Sequence, residues 1–411
     1  MRIAIVGTGI SGLVAAHHLH RDHDITVFEA DTRIGGHTNT VDVVLDGRPV
    51  AVDTGFIVYN ERNYPAFSAL LRELGVATQP SDMSFGVSDP GSGLEYSSRG
   101  ARGVFAQPRN LLRPRFWRLL GEIARFRHAL VEPTSADRGD DESLAQLVER
   151  RHLSDTFVRQ FLVPFGASLW SAEPDTFLDF PAAMFAEFTD NHGMLEPRRR
   201  PQWRTIRGGA RHYVDALVQP FAGRIRLGTA VHKITASPGE IEVLADGVET
   251  FDRVVLATHS DQALRILADP TAAEQRVLGA IRYRRNTVTV HTDIRMLPAR
   301  PNAWASWNYR VVEGARRTHV TYWMNRLQSI VTPRPLFVTL NGATEIDPDT
   351  VLTEIEYAHP VFDVAARRAQ RQRAELQGAR GVYYAGAYWG YGFHEDGVQS
   401  ALDVVRRIEA E

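Results

Sequence analysis

The first thirty residues admit few folds. "MRIAIVGTGISGLVAAHHL" runs from an apolar strand through a glycine turn into a helix. Gly7, Gly9 and Gly12 have the G-x-G-x-x-G spacing. The first glycine permits a tight turn, the second lets backbone approach a pyrophosphate, and the third lets helix pack on strand. The helix then opens at Ile10 and Ser11 with free N–H groups and the positive end of its dipole facing the phosphates. A second strand, "DITVFEA", ends in Glu29, an acid placed to accept both ribose hydroxyls. Strand, turn, helix, strand and acid together predict dinucleotide binding in an α/β, Rossmann-like domain.

Composition narrows the remainder. The 411 residues exceed what one hydrophobic core usually serves, so two domains, or one with a large insertion, are expected. There is no cysteine, which excludes disulfides, thiolate metal sites and a thiol nucleophile. A net charge of −2 argues for no nucleic-acid partner. No run is long and apolar enough to cross a bilayer, and no leader pattern precedes the first strand, so a cytoplasmic chain is expected. Of 47 basic residues only Lys233 is a lysine.

After Glu29 the chain reads "ADTRIGGHTNT". Arg33, Gly35 and Gly36 in this spacing resemble the FAD fingerprint of the superfamily of flavin-containing amine oxidases, phytoene desaturases and protoporphyrinogen oxidases. The resemblance implies that Ala30 to Thr38 runs beside the FAD pyrophosphate and ribityl chain, with His37 where relatives often have arginine. "VAVDTGFIVYN" resembles the stretch under the isoalloxazine, matching Asp53, Gly55 and Phe56. "RTIRGGARHYVDALV" resembles the segment that re-enters the FAD domain, Val231 the valine at the adenine end, and Ala257–Thr258 the close of that domain. "AGAYWGYGFHEDGVQSA" resembles the C-terminal FAD motif, with Gly386, Ala387, Glu395, Asp396, Gly397 and Val398 at the cofactor. No second G-x-G-x-x-G follows a strand, so a resident NAD(P)H site is not expected.

These matches predict a discontinuous FAD-binding domain from 1–60, 201–280 and 366–411. The substrate domain would take 61–200, a helical insertion, and 281–365, an antiparallel or mixed sheet. Pro164 is expected to break the last insertion helix, and 89–103 and "RRRP" at 198–201 look like low-complexity stretches. The C-terminal helix is expected to begin near Asp396–Gly397.

The candidate chemistry follows. His192 in "DNHGML" and His394 in the C-terminal motif are candidate proton carriers. Tyr59, Trp307, Tyr322, Trp323 and Tyr388 are candidate pocket walls. His17, His20 and His23 on the first helix read as surface or packing residues, since no convergent acid or cysteine points to a metal. The helix in "RPRFWRLLGEIARFRHALV" reads either as a core-facing amphipathic helix or as one lying on anionic membrane. Amine oxidases of the superfamily commonly carry a substrate-domain lysine linked by water to flavin N5, and none stands here. The combined reading is a FAD-dependent, desaturase-like oxidoreductase acting on an apolar, fatty-acyl type of substrate, with the electron acceptor open. The alternatives are an amine oxidase releasing hydrogen peroxide and a flavin-dependent isomerase without net redox. The bacterial branch beside cyclopropane-fatty-acid-synthase-like methyltransferases is the nearest resemblance, on "GGHTNTV", "VDTGFIVYN", "DNHGML" and "GYGFHEDGVQSA".

Overall fold

The computed structural model describes residues 1–131, 142–194, 200–237, 239–312, 314 and 317–411. Apolar strands buried on both faces build a parallel five-stranded sheet. Its order is Ile225–Arg226, Asp24–Phe28, Arg2–Val6, Arg253–Leu256, Val382–Tyr384. The strands therefore come from three separated stretches of chain, and they meet because each carries a run such as "IAIV" or "RVVL" that only a doubly covered sheet can bury. The helices Ile10–Leu19 and His394–Glu409 pack against each other on this sheet. The latter buries Val398, Ala401, Val404, Val405 and Ile408, and Leu402 is half-buried.

A seven-stranded sheet forms a second layer, in the order Val351–Val361, Arg282–His291, Phe337–Leu340, His319–Trp323, Trp307–Arg310, Phe85–Asp89, Leu94–Ser97. All its pairs are antiparallel except Trp307–Arg310 with Phe85–Asp89. Helices Pro114–Val131, Leu144–Arg150, Val163–Trp170 and Ala182–Asn191 accompany it, whereas Pro65–Glu73 packs on His394–Glu409 in the core around the parallel sheet. Among the described residues no helix is long and apolar enough to cross a membrane.

Three local expectations are corrected. Pro164 does not end its helix: Val158–Leu162 forms a π-helical turn, with the Val163 N–H donating to Val158 O, and Val163–Trp170 continues through Pro164, the wider turn making room for a ring that carries no N–H. The break falls earlier, at His152, whose φ of 51° leaves the helical region. Much of 89–103 is not low-complexity loop but the turn and second strand of the hairpin Phe85–Asp89/Leu94–Ser97, inside a stretch expected to be helical. The C-terminal helix starts at His394, two residues before Asp396, because Asp396 folds back to accept the Phe393 N–H at 2.9 Å. Arg198 and Arg199 of "RRRP" and Leu195 of "DNHGML" lie outside the described residues.

Candidate functional site

The glycine turn sits at the C-terminal edge of the parallel sheet, where such folds bind ligands. Gly7 has φ +102°, and a Cβ there would press on Ala257 O. A Cβ on Gly12 would fall on Gly7 O, well inside contact distance. Gly9 differs: a Cβ on it would meet nothing within 4 Å. Its open face adjoins the first turn of Ile10–Leu19, which has no side-chain cap. Gly36, φ +57°, packs against Gly9 Cα. Arg33 donates to Gly36 O at 2.7 Å, and its Nη1 is buried without a partner. Glu29 accepts from Thr8 N at 2.9 Å, from Thr8 Oγ1, and from Asp31 N at 2.9 Å, which leaves room for a further donor. Ser11 Oγ donates to Gly397 O at 3.0 Å, tying the first helix to the last. Gly386 N donates to Ser400 Oγ at 3.0 Å, Ala387 opens the next turn, and Val231 is half-buried. An open glycine face, an uncapped helix start and an orphaned guanidinium N–H fit the diphosphate of a dinucleotide.

Beside this cradle stands a wall of which sequence reasoning named only His37. His37 stacks on Tyr357 at 5.1 Å and lies 5.4 and 5.7 Å from the rings of His359 and His259. His259 stacks on Tyr283 at 4.3 Å. Tyr357 Oη is held by Asn39 at 2.9 Å and Thr54 at 2.7 Å, and His359 Nδ1 by Asn286 at 2.9 Å. Burial pushes His37 and His259 down to about 4 and His359 to about 3, so all three are neutral at neutral pH. His37 Nε2 is buried without a partner. Among the described residues no group of three or more acids or histidines could hold a metal ion. The sequence signal for Tyr357 and His359 was alternation: they share one face of a strand far from the fingerprint.

The C-terminal motif divides between scaffold and cradle. His394 stacks on Phe56 at 3.7 Å, and its Nε2 lies 2.7 Å from Tyr213 Oη and 3.2 Å from Thr38 Oγ1. Tyr213 and Thr38 are themselves 2.5 Å apart. Burial holds His394 down at about 3. Gly55 packs on the His37 carbonyl with no space for a side chain. Asp53, fully buried, accepts from Thr40 at 2.5 Å, Ala210 N at 2.9 Å and Gln328 Nε2 at 2.8 Å, and burial raises it to about 6. Burial likewise raises Asp396 to about 7. Glu395 accepts from Ala66 N and Phe67 N at 3.0 and 2.9 Å, capping a helix whose own N-cap residue, Tyr64, offers no side-chain bond. Glu395→Ala should therefore lower stability by about 1–2 kcal/mol, and Glu395→Gln, which keeps an acceptor, by less; urea midpoints check this.

The other histidine has different surroundings. His192 ends the Ala182–Asn191 helix inside a column of rings: Trp203 at 5.9 Å, Phe188 at 4.0 Å, and beyond it Phe393, 4.7 Å from Phe188. Its Nδ1 lies 2.8 Å from Phe188 O, and its Nε2 is buried without a partner among the described residues. The pocket candidates scatter. Trp307 and Tyr322 form a T-shaped pair at 5.2 Å, with Trp307 Nε1 buried and unpartnered. Trp323 sits beside Trp304 at 5.7 Å with Arg326 over its ring. Tyr59 packs on Tyr64 and Phe67. Tyr388, buried, packs beside Trp389, while Tyr391 and Phe393 turn toward Phe188. Lys233 is exposed on the first strand of the three-stranded sheet Lys233–Ser237, Glu240–Leu244, Val248–Phe251. His17, as expected, is a packing residue, 3.2 Å from Glu73.

Known proteins place this geometry. The family described as flavin containing amine oxidoreductase matches residues 10–292. An Arabidopsis thaliana protein, protoporphyrinogen oxidase 2, chloroplastic/mitochondrial, is 29% identical over 184 residues, 43% of this chain and 34% of that protein. The match thus spans about a third of the plant relative's length. Two solved structures share the fold over nearly their full length. A CLA-producing fatty acid isomerase from P. acnes is 16% identical at a TM-score of 0.69, covering 99% of this chain and 98% of its own. Cyclohexylamine oxidase from Brevibacterium oxydans IH-35A is 15% identical at 0.68, covering 99% of each.

Proposed function

The chain belongs to the flavin containing amine oxidoreductase family, and from that premise we propose that it takes hydrogen from an uncharged, apolar substrate of the fatty-acyl kind. It is a FAD-dependent oxidoreductase. The fold does not choose the substrate, since one structural neighbour is a fatty acid isomerase and another an amine oxidase.

One observation carries the proposal: the ionisable groups beside the cradle are neutral or already occupied. His37, His259 and His359 are uncharged imidazoles. Asp53 is held by Thr40, Ala210 and Gln328, and Glu395 by Ala66 and Phe67. A buried ammonium needs a carboxylate or an aromatic cage of its own, and these carboxylates have other partners. In the aromatic column along His192 the rings stack face to face on one another, so their π-faces are covered rather than turned to a cation.

Bound FAD supplies the acceptor for the hydrogen and electron pair leaving a C–H bond. Gly9, Arg33, Gly36 and Glu29 would hold its diphosphate and ribose. The His394–Glu409 helix brings the positive end of its dipole to the same edge of the sheet. Tyr213, Thr38 and Phe56 fix His394, which makes it a positioning residue. His192 is the better candidate for moving a proton. Its Nδ1–H donates to Phe188 O, so Nε2 keeps a lone pair within an apolar wall. Burial holds it at about 4, neutral and able to accept.

His192→Gln should lower kcat by about 100-fold, with bound flavin and KM little changed. Unchanged kcat would remove His192 from the chemistry. Anaerobic mixing of the FAD-loaded protein with acyl lipids and with amines, followed as loss of the yellow absorbance, tests the substrate class.

A further inference from the structure

The stretch between Glu95 and Glu122 holds six arginines, at 99, 102, 109, 113, 115 and 118, and no acid. In a chain of net charge −2 this is a local concentration of one sign. The structure gathers it around an apolar tip. The turn Pro108–Leu112 leads into the helix Pro114–Val131. Leu112 is 88% exposed, Leu111 51% and Trp117 50%. The helix's own core stripe, Phe116, Leu119 and Phe126, is buried on the opposite side. The exposed residues are therefore surplus to internal packing, and the helix as a whole does not lie on a surface; only its N-terminal end is free to.

The tip is built rather than loose. Trp117 Nε1 donates to Leu111 O at 2.9 Å, which pins the turn onto the first turns of the helix, and Phe105 backs the indole at 5.5 Å. The arginine rim faces solvent. Arg99, Arg102, Arg109, Arg115 and Arg118 are exposed. Arg99 and Arg109 donate only to carbonyls, of Trp304 and Gly93, and Arg113 to the Asn110 amide. Among the described residues Arg118 alone of the six reaches a carboxylate, Glu122 at 3.3 Å. The Glu95 carboxylate is turned to the backbone N–H groups of Ala299 and Arg300 at 2.7 and 3.0 Å.

We infer that this tip docks on an anionic lipid bilayer. Leucines and a tryptophan that enter the interface, ringed by cations that reach headgroup phosphates, form a surface-binding device. A symmetric contact with a second copy would bring two arginine rims together, which like-charge repulsion opposes. The inference does not depend on the acyl-substrate proposal, because it concerns a surface whose residues take no part in the cradle.

Flotation of the FAD-loaded protein with vesicles of phosphatidylcholine, with and without phosphatidylglycerol, tests it. Partitioning should rise roughly tenfold with the anionic lipid and fall as salt is raised. Leu112→Glu with Trp117→Gln, and separately Arg102→Glu with Arg115→Glu, should each lower it roughly tenfold, with thermal midpoint and bound flavin as in the parent. Absence of binding to anionic vesicles, or variants that bind like the parent, would overturn the inference. So would a stable dimer that Leu112→Glu splits while vesicles are ignored.

Discussion

Acidifying the apoprotein from about pH 7 to about pH 5 is expected to remove most of its stability. Six histidines carry the effect, three of them buried and three half-buried. Burial holds His37, His192, His259 and His291 at about 4, and His359 and His394 at about 3, against an ordinary 6.5. As pH falls through about 6.5 the unfolded chain takes up protons at these sites and the folded chain does not. Their stabilisation is therefore present above about 6.5 and lost on the way down to about 4 for four of them and about 3 for His359 and His394. Asp53 and Asp396 act the other way. Raised to about 6 and about 7, they stabilise the fold fully below the ordinary 3.8 and lose that contribution as pH rises through their folded values. Six groups outweigh two, so the net slope near pH 5 is on the order of 3–5 kcal/mol per pH unit. That compares with a total stability of roughly 5–15 kcal/mol for a typical domain. Urea midpoints at several pH values check it: a steep fall below about pH 6.5 is expected, and a flat profile would mean that these imidazoles are hydrated.

The second large effect separates two glycines three residues apart. Gly12→Ala puts a methyl onto Gly7 O, and backbone cannot move aside without lifting the first helix from its strand. A loss of at least about 3 kcal/mol is expected, enough to leave much of the chain misfolded. Gly9→Ala meets no protein atom within 4 Å, and its φ of −64° suits any residue. The apoprotein should unfold within about 0.5 kcal/mol of the parent. Its methyl occupies the face reserved for the diphosphate, so FAD affinity should drop by roughly 10–100-fold, an overpacking penalty of about 1–3 kcal/mol expressed as binding. Thermal unfolding with and without added FAD separates the two. A Gly9 variant that binds FAD normally would contradict the assignment of the cradle.

The glycine turn and the fold it opens were legible because they are local. Turn, helix and ribose acid occupy one short run, and each glycine there answers a steric demand that sequence spacing expresses. The partners of those residues were less legible. Thr8 against Glu29, Tyr213 against His394 and Tyr357 against His37 are pairs formed across the chain, and no periodicity links their members. The same holds for the hairpin at 85–97: it joins the large sheet beside Trp307–Arg310, a strand more than two hundred residues away, and its short strands carry little alternation of their own. The aromatic motif near the C-terminus, from which Tyr388 stood as a candidate pocket wall, points two ways. Tyr388 and Trp389 fill the interior, whereas Phe393 continues a stack through Phe188 to His192. Ring-rich sequence reveals burial well and direction poorly, because a single residue turns a side chain to the opposite side.

Selection of an uncharged acyl substrate by the neutral wall beside the cradle, as we propose, makes flavin reduction depend on the charge of the substrate. Anaerobic titration of the FAD-loaded protein tests it most directly, following the flavin absorbance band as candidates are added. Acyl lipids should bleach the band while primary and secondary amines leave it intact, and His192→Gln should slow the bleaching. Bleaching by amines but not by acyl lipids would contradict the claim.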